Sequence, residues 1–371
     1  MIFPNADAIC EIKDPLDWND MKCGVMVAAC RELAIFHDGH SPDLKHIYRR
    51  RNFDPQAIHT EKDLERLPFV GVDAMKYYLL LSLPPEKAVL KLTSSGTRGQ
   101  KTQIWFDTES LRRVQSQLDV LWEQENLTSK EPSNYVNFIF DPSDAGDLGN
   151  AFSVQNEQRF APVKESYFCV NKNSAGAWEF RRDEAVTKLR EFEAQGRPVR
   201  IGGMPSFIYE LLVSLKDEKP IRLPPGSMMM TGGGWKAAED RAVTREHFRA
   251  MVTAKLGIRE DRIRDGYGIA EHAAPYVTCR NHRFHVPVYN RVFPRNPVTL
   301  EVLPPGEIGL LEFITPFNAM MPNLAVLSTD LGYLDPTPCP CGRLSPTFTL
   351  VGRGGVEKHK GCAIAAGDIV R

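Results

Sequence analysis

Residues 88–101, AVLKLTSSGTRGQK, are the stretch that decides the fold. The apolar run predicts a strand, and the glycines and hydroxyl residues after it predict a loop whose N–H groups form a nest for an anion. The spacing differs from the Walker A pattern, and an ordinary polar loop is the alternative interpretation. We therefore predict a nucleotide triphosphate site made by Thr93, Ser94, Ser95, Gly96, Thr97, Gly99 and Lys101.

Four further motifs follow: TGGGWK at 231–236, DGYGIAE at 265–271, STDLGY at 328–333 and VGR at 351–353. Together, over about residues 90–362, they resemble the core motifs of the adenylate-forming superfamily of acyl-CoA synthetases, aryl-CoA ligases and peptide-synthetase adenylation domains. Cys279 and CPCGR at 339–343 resemble the phenylacetate-CoA ligases. The GGGWK form, the chain length and Cys362 resemble the acyl-protein synthetases, which activate fatty acids.

The resemblance implies an α/β fold, the large N-terminal domain of adenylate-forming enzymes, with parallel sheets, helices and a β-rich subdomain. The small C-terminal domain is expected to be absent, because the sequence stops soon after Gly352-Arg353. We predict an α/β nucleotide- and acyl-binding body at 1–285, a β-rich subdomain at 286–352, and a hinge remnant and tail at 353–371 that carries Cys362.

The resemblance also implies roles for single residues in a reaction that uses ATP and Mg²⁺. Glu271 would hold Mg²⁺, and Asp330 would accept hydrogen bonds from the ribose hydroxyls. Arg353 would contact ribose or phosphate, although an arginine here is equally typical of a surface salt bridge. An exposed carboxylate without a metal is the alternative for Glu271. The remaining residues of the expected nucleotide site, around adenine, are Gly233, Gly234, Trp235, Tyr267 and Gly268.

A cluster of cysteine and histidine residues predicts a structural Zn²⁺ site. The candidate ligands are Cys279, His285, Cys339 and Cys341, with His282 left open as a substitute for His285. The alternative interpretation is a set of reduced thiols without metal.

Cys362 lies beside Lys358, His359 and Lys360, and neighbouring cations stabilise a reactive thiolate. By resemblance it receives the acyl group as a thioester for delivery to a partner such as an acyl reductase. With Lys101 and Glu271 it completes the predicted catalytic set. Two alternatives remain: a ligase that acylates CoA, a carrier protein or an amine, and an inactive nucleotide-binding scaffold subunit. The identity of the small carboxylic acid substrate is left open.

Composition narrows the class of protein. The 371 residues are 42% apolar and 25% charged with a net charge of −1, which favours a globular protein and argues against a nucleic-acid partner. No apolar run is long enough to span a membrane, and the N-terminus does not resemble a secretory signal. With eight cysteines expected to be reduced, we predict a cytoplasmic location.

Local patterns predict most of the regular elements. Asp14 is expected to cap a helix over 16–37, and Asp107 is expected to cap a second helix that ends near 126. A third helix is expected over 183–195, with Gly196 ending it. Strands are expected at 88–92, 135–140, 199–203 and 227–231, and helices at 205–215 and 237–256. After residue 286, short β-rich runs, including VTLEVL at 298–303, replace this strand–helix alternation.

Overall fold

The computed structural model describes residues 2–93, 102–145, 158–235, 242–272 and 274–354. Its α-helices are Pro4–Cys10 (α1), Asp20–His40 (α2), Pro42–Arg50 (α3), Glu61–Leu64 (α4), Val72–Tyr77 (α5), Thr108–Gln124 (α6), Pro142–Ala145 (α7), Arg182–Gln195 (α8), Pro205–Ser214 (α9) and Arg245–Leu256 (α10). Within these ranges, no helix is both long and apolar enough to cross a membrane.

The strands are spread over the whole described chain, and the longest, β5 and β14, have ten residues each. They are Val70–Gly71 (β1), Leu90–Thr93 (β2), Gln103–Phe106 (β3), Ser133–Phe140 (β4), Val163–Lys172 (β5), Trp178–Phe180 (β6), Val199–Gly203 (β7), Met228–Thr231 (β8), Ile263–Tyr267 (β9), Tyr276–Val277 (β10), Phe284–His285 (β11), Arg291–Arg295 (β12), Gly309–Ile314 (β13), Ala325–Leu334 (β14) and Thr347–Arg353 (β15).

The described chain forms two compact units. The first contains residues 2–93, 102–126 and 268–354, and the second contains residues 127–267. The predicted division of the chain into segments 1–285, 286–352 and 353–371 remains a prediction.

The first unit is built on a mostly antiparallel sheet with the strand order β11-β15-β14-β13-β12. β1 adds to β14 in parallel, with Val70 opposite Val326 and Gly71 opposite Leu327. β2 and β3 form a separate hairpin. Apolar side chains of α2, including Met26 and Leu33, pack with Val326 and Phe317 in the core of this unit.

The second unit is a mainly parallel sheet in which β9, β8, β7, β4 and β5 lie side by side, with β6 antiparallel to β5. Side chains of α8, α9 and α10, such as Leu189, Phe207 and Val252, cover apolar residues of its strands. Gly203 at the end of β7 has φ of 132°, and an added Cβ would lie 2.3 Å from the carbonyl oxygen of Phe138. A side chain therefore cannot fit where β7 meets β4.

Several predicted elements are confirmed and three are wrong. Asp107 caps α6, and Gly196 ends α8 in the left-handed conformation. The first long helix starts later than predicted, because Asn19 rather than Asp14 accepts the capping hydrogen bond. The helix predicted over 237–256 begins at Arg245 with Thr244 as its cap, and residues 236–241 lie outside the described chain.

The predicted run VTLEVL at 298–303 does not form a strand. It contributes only a single bridge between Val302 and Arg295, and Leu300 has a positive φ of 63°. A left-handed residue interrupts the extended backbone that a strand needs.

Candidate functional site

Asp330 and Arg353 lie opposite each other on β14 and β15 in the first unit. An Arg353 guanidinium nitrogen is 3.3 Å from a carboxylate oxygen of Asp330. The Asp330 side chain is 12% exposed and that of Arg353 is 57% exposed, so the pair stands at the surface with the carboxylate on the inner side. The Asp330 backbone N–H donates to the Ser328 hydroxyl, which itself donates to the carbonyl of Leu311. These contacts fix the backbone that presents the carboxylate.

Glu271 is a buried carboxyl group in the same unit. Burial raises its pKa, while its own backbone N–H, the Thr102 hydroxyl and the Lys76 charge lower it in part, and the charge of Asp330 raises it further. Asn323 donates from its side-chain amide to the Glu271 carbonyl oxygen at 2.8 Å. Glu271 is therefore anchored through its backbone carbonyl oxygen, and its carboxylate accepts hydrogen bonds from its own backbone N–H and from the Thr102 hydroxyl.

The surroundings of Glu271 fit a magnesium ion that is shared with phosphate. Mg²⁺ is usually held by one or two carboxylates together with substrate phosphates. A cation at Glu271 would offset the burial that disfavours its charged form. The Glu271 carboxylate is thus a suitable single protein ligand for Mg²⁺.

The glycine motif lies in the second unit, directly after β8. Gly233 and Gly234 both have positive φ values, 78° and 66°, which side chains rarely adopt. Trp235 packs edge-on against Tyr209 of α9 and Phe248 of α10, with ring centroids 5.3 Å and 6.2 Å apart. The motif is therefore a tight turn held by an aromatic anchor, and its adenine-binding role stays a prediction.

Three more predicted nucleotide residues have defined positions. Thr93 ends β2, opposite Gln103 in the hairpin. Tyr267 ends β9 in the second unit. Gly268 follows in the first unit, and an added Cβ would be 3.7 Å from Pro275, an ordinary contact distance. Sterics thus do not demand a glycine at 268.

Cys279, His285, Cys339 and Cys341 come together in the first unit, with their ligand atoms within 4.8 Å of one another. The sulfurs of Cys279 and Cys339 are 3.6 Å apart, and Nε2 of His285 is 3.2 Å from the sulfur of Cys341. Zinc with Zn–S bonds of about 2.3 Å would hold two tetrahedral sulfurs about 3.8 Å apart. The donor set and its spacing therefore fit Zn²⁺.

Electrostatics favour the metal-binding forms of His285 and Cys341, whereas Cys279 and Cys339 would have to give up their protons to a metal ion. Burial, helped by the charge of Arg343, lowers the pKa of His285 to about 4, so the ring is neutral at pH 7. Burial would raise the pKa of the Cys341 thiol, but the backbone N–H of Arg343 and the thiol of Cys339 lower it overall. Burial raises the pKa values of Cys279 and Cys339.

A buried hydroxyl orients the histidine of the cluster. Nδ1 of His285 is 2.7 Å from the Ser345 hydroxyl oxygen, which leaves Nε2 to face the sulfurs. His282 is outside this set and has a positive φ of 60°. Sequence reasoning missed Ser345, although it follows CPCGR by only two residues.

Some predicted residues lie outside the described chain: Ser94, Ser95, Gly96, Thr97, Gly99, Lys101 and Cys362. Sequence reasoning also missed Lys76, Thr102 and Asn323 around Glu271. Thr102 adjoins the predicted phosphate loop, a signal that could have found it. Lys76 and Asn323 belong to no recognisable motif.

Comparisons with known proteins place this chain among acid ligases. It is 23% identical over 350 residues to a long-chain-fatty-acid–luciferin-component ligase of Aliivibrio fischeri, with 92% of this chain and 87% of the relative covered. It is 25% identical to a phenylacetate-coenzyme A ligase of Thermus thermophilus, with 81% of this chain and 63% of the relative covered.

The fold is similar to that of a solved CoA ligase. A crystal structure of 2-hydroxyisobutyryl-CoA ligase, solved with 2-HIB-AMP and CoA, matches with a TM-score of 0.68 at 14% identity, with 89% of this chain and 74% of that chain covered. The family described as "Acyl-protein synthetase, LuxE" matches residues 5–369. This chain therefore belongs to the LuxE family of acyl-protein synthetases.

Proposed function

We propose that this protein activates a fatty acid with ATP and Mg²⁺ and then carries the acyl group on Cys362. A carboxylate oxygen of the acid attacks the α-phosphorus of ATP, the bond to the bridging oxygen breaks, and pyrophosphate leaves. The Cys362 thiolate then attacks the acyl carbon of the adenylate and AMP leaves, so a thioester forms and the thiol proton passes to solvent. A partner such as an acyl reductase takes the acyl group from this thioester.

The observation that carries this proposal is the family match over residues 5–369. Two relatives of this chain are named as long-chain-fatty-acid ligases, which supports a fatty acid as the substrate. Two features of the first unit support the reaction. Glu271 offers a carboxylate for Mg²⁺, and the Asp330–Arg353 pair in the same unit offers charged groups for ribose or phosphate.

Each charged residue has a distinct task in the proposed site. Bound Mg²⁺ neutralises phosphate charge and draws electrons from the α-phosphorus. Glu271 holds it with one carboxylate, and the Asn323 contact keeps the Glu271 backbone in place. The Asp330 carboxylate accepts hydrogen bonds from the ribose hydroxyls, while Arg353 donates to ribose or phosphate. In the predicted loop, Lys101 and the backbone N–H groups bind the β- and γ-phosphates.

Exchange of labelled pyrophosphate into ATP tests the first half-reaction. We expect exchange that depends on a long-chain fatty acid, and a panel of fatty, aryl and amino acids identifies the preferred acid. Absence of exchange with every acid, with ATP binding retained, would favour the inactive nucleotide-binding scaffold subunit.

Intact-mass analysis tests the second half-reaction. With ATP and the acid, the wild type should gain one acyl group that hydroxylamine removes, whereas Cys362→Ser should keep exchange and gain none. Cys23→Ser is the matched control, because Cys23 is a half-buried free thiol outside the cysteine–histidine cluster. Acylation of added CoA without any protein adduct would instead favour the CoA-ligase alternative.

The cluster of Cys279, His285, Cys339 and Cys341 is proposed to hold one structural Zn²⁺ ion. Four protein ligands leave no open position for a substrate, so the ion would stabilise the fold without taking part in the reaction. Elemental analysis should find close to one zinc per chain, and Cys339→Ser with Cys341→Ser should remove it and lower the unfolding temperature. A metal-free wild type of full stability would refute the site.

A further inference from the structure

The outer side of α2 carries a groove of about 340 Å³ in the first unit. Its apolar walls come from α2 and from the segment before α4, and they include Val27, Ala28, Ile35 and Ile58. Val27 and Ile58 are 6% and 1% exposed, so the walls continue into the core of the unit. This α2 groove has the size of a small-molecule site, since such sites begin at about 300 Å³.

Arg31 lines the α2 groove and is a cation without a counter-charge. The residue is half-buried, its Nε is buried, and nothing in the described ranges accepts a hydrogen bond from that atom. No ion pair joins Arg31 to a carboxylate in that part of the chain either. A buried donor that lacks a partner lowers stability, so this guanidinium is suited to an anion that comes from outside the chain.

The carboxylate next to Arg31 in the groove is already occupied. Both carboxylate oxygens of Glu32 accept from the backbone N–H of Asn5, at 3.3 Å and 3.1 Å. The Asn5 side-chain amide donates to Glu32 at 2.9 Å, and the Ala6 backbone N–H donates at 3.0 Å. These four contacts hold the Glu32 carboxylate against α1 and offset its charge, so the groove stays open to an anion.

Gly24 keeps the groove open on the α2 side. Its backbone has no positive φ, and an added Cβ would have no neighbouring heavy atom of the described chain within 4 Å. Neither backbone conformation nor packing therefore requires a glycine here, although glycine lowers helix stability relative to leucine or alanine. The missing side chain provides space, because Gly24 itself lines the groove.

We propose that the α2 groove binds a monocarboxylate with a short apolar chain, and that its carboxylate pairs with the Arg31 guanidinium. The planar guanidinium matches a carboxylate with two parallel hydrogen bonds. A single cation favours a single negative charge, and the apolar walls favour a hydrocarbon chain over further polar groups. This inference does not rest on the proposed function, because the groove uses none of the residues assigned to ATP, Mg²⁺ or Zn²⁺.

Calorimetric titration with sodium octanoate tests the inference, and octan-1-ol is the uncharged analogue. Arg31→Met removes the charge but keeps a long side chain, whereas Gly24→Leu fills the groove with a residue that favours helix. The matched control is Arg49→Met, because Arg49 is an exposed arginine that does not line the groove. An octanoate analogue that carries a diazirine, followed by tryptic mapping, reports where the acid binds.

We expect Arg31→Met to weaken octanoate binding about 10–100-fold, the usual effect of losing hydrogen bonds to a charged group, and Arg49→Met to bind like the wild type. Gly24→Leu should abolish binding at the groove. The photoreactive label should map to residues 23–45, and octan-1-ol should bind more weakly than octanoate. Pyrophosphate exchange and the unfolding temperature should not fall in either groove variant, because Arg31 has no hydrogen bond within the described chain to lose.

Octanoate affinities of Arg31→Met and Arg49→Met that agree within twofold would overturn the inference, as would octan-1-ol that binds as tightly as octanoate. A label found only outside residues 23–45, or a wild type that binds no octanoate at millimolar concentration, would overturn it as well. Acid bound at the predicted acyl site would be retained by all three variants. If the wild type lacks pyrophosphate exchange with every acid, the proposed function fails, while these binding measurements still decide the role of the groove.

Discussion

Removing the Ser345 hydroxyl should weaken metal binding at the cysteine–histidine cluster. Ser345 is buried, and its hydroxyl oxygen lies 2.7 Å from Nδ1 of His285. In Ser345→Ala, this ring nitrogen loses its partner in a buried position, which typically costs about 1–3 kcal/mol. Such supporting partners of metal-binding histidines are usually worth about 10–100-fold in metal affinity. A tenfold change in affinity corresponds to about 1.4 kcal/mol, so both estimates give a loss of roughly 2 kcal/mol in the free energy of zinc binding.

Competition with a chromophoric zinc chelator measures this loss directly. Ser345→Ala should bind Zn²⁺ about 10–100-fold more weakly than the wild type, and Ser345→Thr should restore most of the affinity because it keeps the hydroxyl. Ser116→Ala is the control, since the half-buried Ser116 hydroxyl donates only to the carbonyl of Arg113. An affinity of Ser345→Ala within twofold of the wild type would refute the role of this hydroxyl in orienting His285.

Three further predictions concern charged groups of the first unit. Asp330→Ala should raise KM for ATP about 10–100-fold in pyrophosphate exchange. The loss of stability should be small, because the partner Arg353 is largely exposed, and unchanged kinetics would remove Asp330 from the nucleotide site. Glu312→Gln should lower the free energy of unfolding in urea by about 3–5 kcal/mol, since it breaks the buried 2.5 Å pair with Arg295, and a loss below about 1 kcal/mol would contradict this. Burial lowers the pKa of His37 to about 3, so below pH 6.5 the unfolded chain binds a proton that the native chain does not. The free energy of unfolding should therefore fall by about 2 kcal/mol between pH 7 and pH 5. In His37→Gln, the same urea assay should show a pH dependence that is smaller by that amount.

The sequence by itself determined the elements whose signals are local. Asp107 caps α6 and Gly196 ends α8, because a capping side chain and a left-handed glycine act within one helical turn. The order and spacing of the glycine-rich motifs also predicted the adenylate-forming family, and the family match confirms that prediction. Local signals failed at Asp14, because Asn19 supplies the cap of α2.

Only the tertiary structure decided which distant residues meet. His282 and His285 are both plausible ligands in the sequence, but the pairing of β11 with β15 brings His285 to Cys341, 56 residues away. Asn323 belongs to no sequence motif, but its side-chain amide donates to the backbone carbonyl oxygen of Glu271, 52 residues away. Side chains far apart in sequence are brought together by strand pairing and core packing, and both depend on the whole unit rather than on any short segment.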